Sequence, residues 1–200
     1  WSRYQYQDLA RVILENYEYS NGELNTVLAA YMNYNSQSGN FNTPSVLMTD
    51  AVIFAFGGAH LELGEHMLSS EYFPNDKLAM SVELRNSVKE YYDFHTAYQN
   101  LLRDGGSFNF PSIQSQDSDV KLNNWPPVVG QAAVVGKQLE NGQVLHLLNY
   151  DGVSTLQWRD DSKVQTTPLV KDNFSITVDA GRNVSKVWFA SPDVDGGASQ

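Results

Sequence analysis

The stretch AVIFAFGGAHLELGEH, residues 51–66, decides the fold class of this chain. Its apolar run stops at Gly57-Gly58, which indicates the end of a helix. The following AHLEL, residues 59–63, has the character of a strand that leads into a polar loop. Because alternate side chains of a strand share a face, we expect His60 and Glu62 on one face, opposite the two leucines. A helix followed at once by a strand is one step of an α/β alternation.

The same alternation continues on both sides of that stretch. Apolar residues at helical spacing predict a helix over residues 4–18, and TVLAAYMNY, residues 26–34, predicts a strand. Thr43 is expected as the N-cap of the next helix, with Pro44 at its first position. The strongest helical pattern runs over about residues 77–103. Helix, strand, helix, strand and long helix in this order indicate parallel strands covered by helices.

The alternation stops after residue 110, and the chain divides there into predicted parts. A complete (β/α)8 barrel needs roughly 250 residues, so residues 1–110 are predicted to be the last strands and helices of such a barrel. Residues 111–127, rich in Ser, Asn, Asp and Pro, are predicted to be a linker or an active-site loop. Residues 128–200 contain two hairpin signals, QAAVVGK and QVLHLLNY around LENG, and NFSITV and VSKVWFA around DAGRN.

The predicted fold class is therefore α/β followed by β. It is the C-terminal portion of a (β/α)8 barrel, followed by an incomplete antiparallel β-sandwich of the Greek-key type. Only about four or five strands can be identified in the second part, fewer than a sandwich of this type contains. We expect both ends of the chain to be cut from a longer protein.

Charge and composition exclude several classes of function. The formal net charge is −10, from 13 Lys and Arg against 23 Asp and Glu. Such a chain repels phosphates and anionic lipids, so neither nucleic acid nor a membrane is expected as a partner, whereas a neutral sugar meets no such barrier. The chain has no cysteine, which excludes a disulfide framework, a thiolate metal site and a cysteine nucleophile. No apolar run predicts a transmembrane helix, and no nucleotide or other cofactor motif is found.

The polar residues of the opening stretch allow three interpretations. His60 and His66 do not have the H-E-x-x-H spacing, and two ligands from one strand do not complete a metal site, so no metal is predicted. Glycoside hydrolysis uses two carboxyl groups about 5–10 Å apart. Glu62 and Glu65 lie at a strand end, where barrel enzymes place their sites, but we expect them to point away from each other. The third interpretation is structural, a buried Glu62 held by His60 or by a neighbouring strand.

Several long strings resemble one known family. They are LAAYMNYNSQSG (28–39), LMTDAVIFAFGGAHLELGEHMLSSEYFPN (47–75) and YYDFHTAYQNLLRDG (91–105), and in the later part LHLLNYDGVSTLQWRD (145–160) and VWFASPDVDGG (187–197). The first three resemble the catalytic barrel of glycoside hydrolase family 66, which contains dextranases and cycloisomaltooligosaccharide glucanotransferases. The last two resemble the β-sandwich that follows this barrel in the family.

This resemblance implies a secreted, extracellular bacterial enzyme that cleaves α-1,6-glucosidic linkages inside dextran with retention of configuration. Its partners would be α-1,6-glucan or isomaltooligosaccharides, and the remainder of the same enzyme. The Asp nucleophile and the Glu acid/base are expected upstream of Trp1, so we expect no catalytic residue here and no activity from this segment alone. The candidate sugar contacts lie at strand ends and loops: Asn33, Tyr34 and Asn35, then His60, Glu62 and Glu65, and finally Asn109 in the loop before the sandwich.

Two alternatives remain open for the function. The cyclising enzymes of the family carry a carbohydrate-binding module inserted late in the barrel. Residues 57–94 run on without room for such a module, which favours a dextranase. A carbohydrate-binding or structural module without catalytic activity is the alternative from a different class.

Overall fold

The chain forms an α/β portion followed by a β portion. The computed structural model describes residues 3–62, 66–67, 69–70 and 76–198. Its helices are α1 (Tyr6–Tyr19), α2 (Thr43–Ala55), α3 (Val82–Ala97) and α4 (Gln99–Leu102), and its strands are β1 (Val27–Leu28), β2 (Ala59–His60), β3 (Ser107–Asn109), β4 (Ser112–Ser115), β5 (Leu122–Asn124), β6 (Ala132–Gln138), β7 (Gln143–Asn149) and β8 (Ile176–Asp179). A short 3-10 turn spans Asp195–Gly197.

Strands β1 and β2 are parallel, as the alternation predicts, with Leu28 opposite His60. Both strands are much shorter than predicted. Beyond β1, the backbone amides of Asn33 and Asn35 donate to the carbonyl oxygens of Arg159 and Asp161 instead of to a neighbouring strand. The parallel pairing is therefore confirmed, whereas a complete barrel architecture stays a prediction.

Helix α2 connects β1 and β2 and is buried along most of its length. Its residues are apolar on nearly every side, as expected for a helix enclosed by other elements. The N-cap is Asn42 and not Thr43, which is already helical. The side chain of Asn42 makes no capping hydrogen bond; its Nδ2 donates to Asp160 Oδ2 at 2.7 Å.

The long helix predicted over residues 77–103 begins later and is interrupted. It starts at Val82, where the Ser81 hydroxyl accepts from the Leu84 amide at 3.0 Å, and it breaks at Tyr98 before α4. The residues just before Ser81 cannot be helical because Ala79 exchanges backbone hydrogen bonds with Gly39 and Phe41. Tertiary pairing overrides the local helical pattern here.

Strand β6 is the centre of a mixed sheet. It pairs antiparallel with β7, which confirms the first predicted hairpin, and with β3, and it pairs parallel with β5. Residues 111–127 therefore contain two strands, β4 and β5, where a linker or loop is expected. Their backbone groups bond to strands of the later part, which a local reading of polar residues cannot detect.

The second predicted hairpin is wrong. Strand β8 overlaps the predicted NFSITV, residues 173–178, but it pairs antiparallel with β4. Residues 184–190 form no strand, and Val187, Trp188 and Phe189 are exposed. A strand without a buried face lacks the side-chain packing that stabilises pairing. The β-sandwich and the division of the chain into three parts stay predictions.

Aromatic side chains join the two portions into a shared core. Tyr6 of α1 meets Tyr150 edge-on, with 5.4 Å between ring centroids. Phe56 contacts Phe108 and Trp125 at 5.3 and 4.9 Å. None of the helices in the described parts of the chain has the length and apolar character that crossing a membrane requires.

Candidate functional site

Three ionisable side chains meet at the carboxyl end of β2. His60 ends that strand, Glu62 follows it, and Asp50 reaches them from the middle of α2. Asp50 Oδ1 lies 2.7 Å from His60 Nδ1, and Glu62 Oε1 lies 3.7 Å from the same nitrogen. The side chains are 0%, 1% and 10% exposed, respectively. We call these residues the Asp50–His60–Glu62 cluster.

The hydrogen bonds of His60 constrain its protons. Its Nε2 lies 3.0 Å from the carbonyl oxygen of Ala30, and because a carbonyl oxygen only accepts, Nε2 donates there. Its Nδ1 faces the carboxyl oxygen of Asp50, so one proton lies between those two atoms. The Tyr92 hydroxyl donates to the backbone carbonyl of His60 and holds the end of β2 in place.

Burial sets the protonation of Glu62. The pKa of Glu62 is raised to about 9, first because the side chain is desolvated and second because the negative charge and hydrogen bonding of Asp50 disfavour a second carboxylate. The same surroundings raise the pKa of Tyr92, through burial and then through Glu62 and Asp50. Glu62 is therefore a neutral acid at neutral pH, and its hydroxyl can donate a hydrogen bond.

The cluster has the donor types of a metal site. Each residue offers one ligand atom, and these atoms lie within 4.8 Å of one another. One nitrogen and two carboxylate oxygens would suit Zn²⁺ or Mn²⁺. However, both ring nitrogens of His60 lie within hydrogen-bond distance of oxygens, so a metal would have to break the bond to Asp50. The geometry favours protons over a metal.

Two carboxyl oxygens of the cluster receive no hydrogen bond from outside it. Asp50 Oδ2 and Glu62 Oε1 are buried, and no N–H or hydroxyl group of the other described residues donates to them; the donor available inside the cluster is the proton of the neutral Glu62 carboxyl group, which interacts with Asp50. A buried acceptor without a partner costs free energy, unless a proton or a ligand group satisfies it. Glu62 is the member that a ligand can reach, since it is the least buried of the three.

Asn33 serves the scaffold instead of a ligand. Its side chain is fully buried, its Nδ2 donates to the Asp160 carbonyl at 2.8 Å, and its Oδ1 accepts from the Asn42 amide at 2.9 Å. Both ends of the amide are thus used inside the protein. The expected sugar contact by Asn33 is corrected accordingly, because no amide atom is presented to solvent.

Tyr34 and Asn35 lie at the surface, as expected for ligand contacts. Tyr34 is 40% exposed, and the guanidinium carbon of Arg159 lies 5.3 Å from the centroid of its ring. Asn35 is exposed, and its backbone amide donates to the Asp161 carbonyl at 3.0 Å. The fold therefore brings Tyr34 and Asn35 next to Arg159 and Asp161, which lie more than a hundred positions later in the sequence.

The other candidates are not gathered at the cluster. Asn109 belongs to β3 and not to a loop, because it pairs with Gly136 of β6. Its Oδ1 is buried and lacks a partner in the described part of the chain. Glu65 lies outside the described residues. His66 Nδ1 lies 3.2 Å from the Leu78 carbonyl oxygen, so His66 serves local structure.

A cavity of about 250 Å³ lies elsewhere, at the amino ends of the two parallel strands. Its walls include Thr26, which precedes β1, and Gly57, which precedes β2. Barrel enzymes place their chemistry at the opposite, carboxyl end of the strands. No carboxylate is found among the described residues that line this cavity, so we do not assign glycoside chemistry to it.

The family model and the related proteins that match this chain point to the same family. The model of glycosyl hydrolase family 66 matches residues 1–200. A cycloisomaltooligosaccharide glucanotransferase of Niallia circulans is 32% identical over 175 residues. A dextranase of Streptococcus salivarius is 23% identical over an alignment of 171 residues that covers 74% of this chain.

A solved structure shares the fold. It is the crystal structure of a Paenibacillus sp. cycloisomaltooligosaccharide glucanotransferase complexed with cycloisomaltoheptaose, with a TM-score of 0.72 and 28% identity over 81% of this chain. The chain spans only a small part of these proteins: 17% of the Niallia relative, 21% of the Streptococcus relative and 23% of the Paenibacillus chain.

Proposed function

The chain belongs to glycosyl hydrolase family 66, and from this premise we propose that it is part of a dextranase. The whole enzyme would be secreted by a bacterium and would cleave α-1,6-glucosidic linkages within dextran with retention. The Asp nucleophile and the Glu acid/base would come from the remainder of the same enzyme. This segment would contribute sugar contacts and the packing that holds them.

One observation carries this proposal, the Asp50–His60–Glu62 cluster at the carboxyl end of a parallel strand. Barrel enzymes bind and convert substrates at this end. Glu62 is neutral at neutral pH because its pKa is raised to about 9, and a neutral acid can donate to one sugar oxygen and accept from another hydroxyl. Such a group suits an uncharged glucan.

The cluster does not supply the catalytic pair. A retaining glycosidase needs two carboxyl groups that both face the scissile bond, about 5 Å apart. Asp50 is 0% exposed and hydrogen-bonded to His60, so it does not touch substrate. Of the three cluster side chains, only Glu62 is exposed enough to meet a substrate. The resemblance to the family implies that the nucleophile and the acid/base belong to the remainder of the enzyme.

A cyclising glucanotransferase is the second candidate function. The Niallia relative at 32% identity and the Paenibacillus structure both carry that name. The continuous sequence over residues 57–94, which has no room for an inserted module, supports hydrolysis instead. Both candidates act on the same linkage, and they differ in whether water or the glucan's own end accepts the glucosyl group.

The products of the full-length protein on dextran distinguish these candidates. We expect new reducing ends and linear isomaltooligosaccharides, measured by reducing-sugar assay and anion-exchange chromatography. Cyclic products without new reducing ends would establish the transferase. Dextran that binds but stays intact would establish a binding module and contradict both enzymatic functions.

A further inference from the structure

The loop after β1 lies alongside a segment of the β portion. The amide of Asn33 donates to the Arg159 carbonyl at 2.8 Å, and the amide of Asn35 donates to the Asp161 carbonyl at 3.0 Å. Tyr34 lies between these two bonds. The backbones of residues 33–35 and 159–161 are therefore held side by side, although they are far apart in sequence.

Arg159 is held over aromatic rings at this junction. Its guanidinium carbon lies 5.3 Å from the Tyr34 centroid and 5.8 Å from the Trp158 ring. Trp158 is itself fixed, because its Nε1 donates to the Arg3 carbonyl at 2.8 Å. A guanidinium in contact with two rings is oriented before any ligand arrives, so binding costs less conformational entropy.

Arg159 and Asp161 form a partly exposed ion pair. Arg159 Nε and Asp161 Oδ1 lie 3.6 Å apart and face each other. Both atoms are buried and make no hydrogen bond with the residues described by the structure. The side chains are nevertheless 19% and 33% exposed, so it is their other atoms that reach the surface and are open to a ligand.

We propose that Tyr34, Asn35, Arg159 and Asp161 form a glucosyl-binding subsite at the junction between the α/β and β portions. This inference rests on the proposed function and adds that the β portion supplies part of the sugar site. The four side chains combine a ring, an amide, a fixed donor and an acceptor. A hexopyranose needs this combination, since its C–H face packs on a ring and its hydroxyls both donate and accept.

The charges favour a neutral ligand. Arg159 and Asp161 cancel each other, and the chain as a whole carries −10. A phosphate or carboxylate ligand would meet Asp161 and this net charge. The subsite lies in the segment that follows the carboxyl end of β1, and the Asp50–His60–Glu62 cluster follows the adjacent β2.

The test uses the full-length protein and isomaltoheptaose as the probe. We expect Arg159→Ala to raise the Kd for isomaltoheptaose roughly tenfold, which corresponds to the loss of about one hydrogen bond. Tryptophan fluorescence measures the binding. Arg159→Lys should restore only part of the affinity, because lysine does not stack as a planar group. On dextran, Arg159→Ala should raise KM while kcat stays within about twofold, as expected for uniform binding.

Arg182→Ala is the matched control. Arg182 is an exposed arginine whose Nη2 donates a long hydrogen bond of 3.5 Å to the Gly142 carbonyl, and its replacement by alanine changes the net charge by the same amount. A Kd for Arg159→Ala equal to that of Arg182→Ala, with the thermal transition unchanged, would overturn the subsite. The binding titration needs no cleavage, so a wild-type protein that leaves dextran intact would refute the proposed activity and not the subsite.

Discussion

His60 Nδ1 and Asp50 Oδ1 lie 2.7 Å apart in a site closed to solvent. The two residues come from different elements, β2 and α2. Their contact fixes the end of the strand against the helix and orients the ring toward the Ala30 carbonyl. Glu62, the group nearest to solvent, is held against this pair.

Asp50→Asn should destabilise the fold by about 3 kcal/mol, because removing one partner of a buried ionisable pair leaves the other uncompensated. Urea denaturation of the full-length protein measures this loss. Asp93→Asn is the control, since Asp93 is 61% exposed and pairs with the exposed Lys89, so we expect a change of at most about 0.5 kcal/mol. Equal effects of the two substitutions would contradict a structural role for the buried pair.

Glu62 should make stability decline as pH rises. In the unfolded chain this acid ionises near 4.5, whereas its pKa in the fold is about 9. Between these values the folded state binds more protons than the unfolded state, so the free energy of unfolding falls with increasing pH. The stabilising contribution is complete below pH 4.5 and is lost as pH approaches 9. Melting temperatures from pH 5 to pH 9 measure this decline, and Glu62→Gln should flatten it.

Glu62→Gln should weaken cleavage of dextran without abolishing it. Glutamine keeps a donor and an acceptor but changes their arrangement, so we expect a loss in kcat/KM of about tenfold, comparable to one hydrogen bond. Initial rates of reducing-end release measure this. Complete loss of activity with an unchanged melting temperature would give Glu62 a catalytic role and refute its assignment as a sugar contact.

Chelators should leave the cluster intact. Both nitrogens of His60 already bond to oxygens, so no metal is required to satisfy them. We expect dialysis against EDTA to shift the melting temperatures of wild type and Asp50→Asn equally. A shift present only in wild type, and reversed by Zn²⁺ or Mn²⁺, would show that the Asp50–His60–Glu62 cluster binds a metal.

Asn33→Ala should cost about 2–4 kcal/mol of stability. The substitution removes two buried hydrogen bonds. It also leaves alanine in the left-handed region, at a backbone φ of 53°, without the amide hydrogen bonds that hold Asn33 there. Denaturation of the full-length protein measures this cost. Asn35→Ala is the control at an exposed neighbour, where we expect little change in stability but weaker binding of isomaltoheptaose. Similar stability of both variants would refute the scaffold role of Asn33.

Local patterns predicted the elements that depend on neighbours in sequence. Periodicity located α1 and α2, and the hairpin signal located β6 and β7. Side-chain alternation predicted that His60 and Glu62 share a face, and their atoms lie 3.7 Å apart. The same patterns failed for residues 77–81 and for β4 and β5, because backbone bonds to distant segments decide those conformations.

The sequence by itself determined the α/β-then-β order and the position of His60 and Glu62 at a strand end. Tertiary structure alone decided that Asp50 completes the first site and that Arg159 and Asp161 join Tyr34. A single apolar helix with one aspartate shows only that the aspartate needs a buried partner. Which partner it finds depends on packing between elements, and periodicity contains no information about contacts across such distances in the chain.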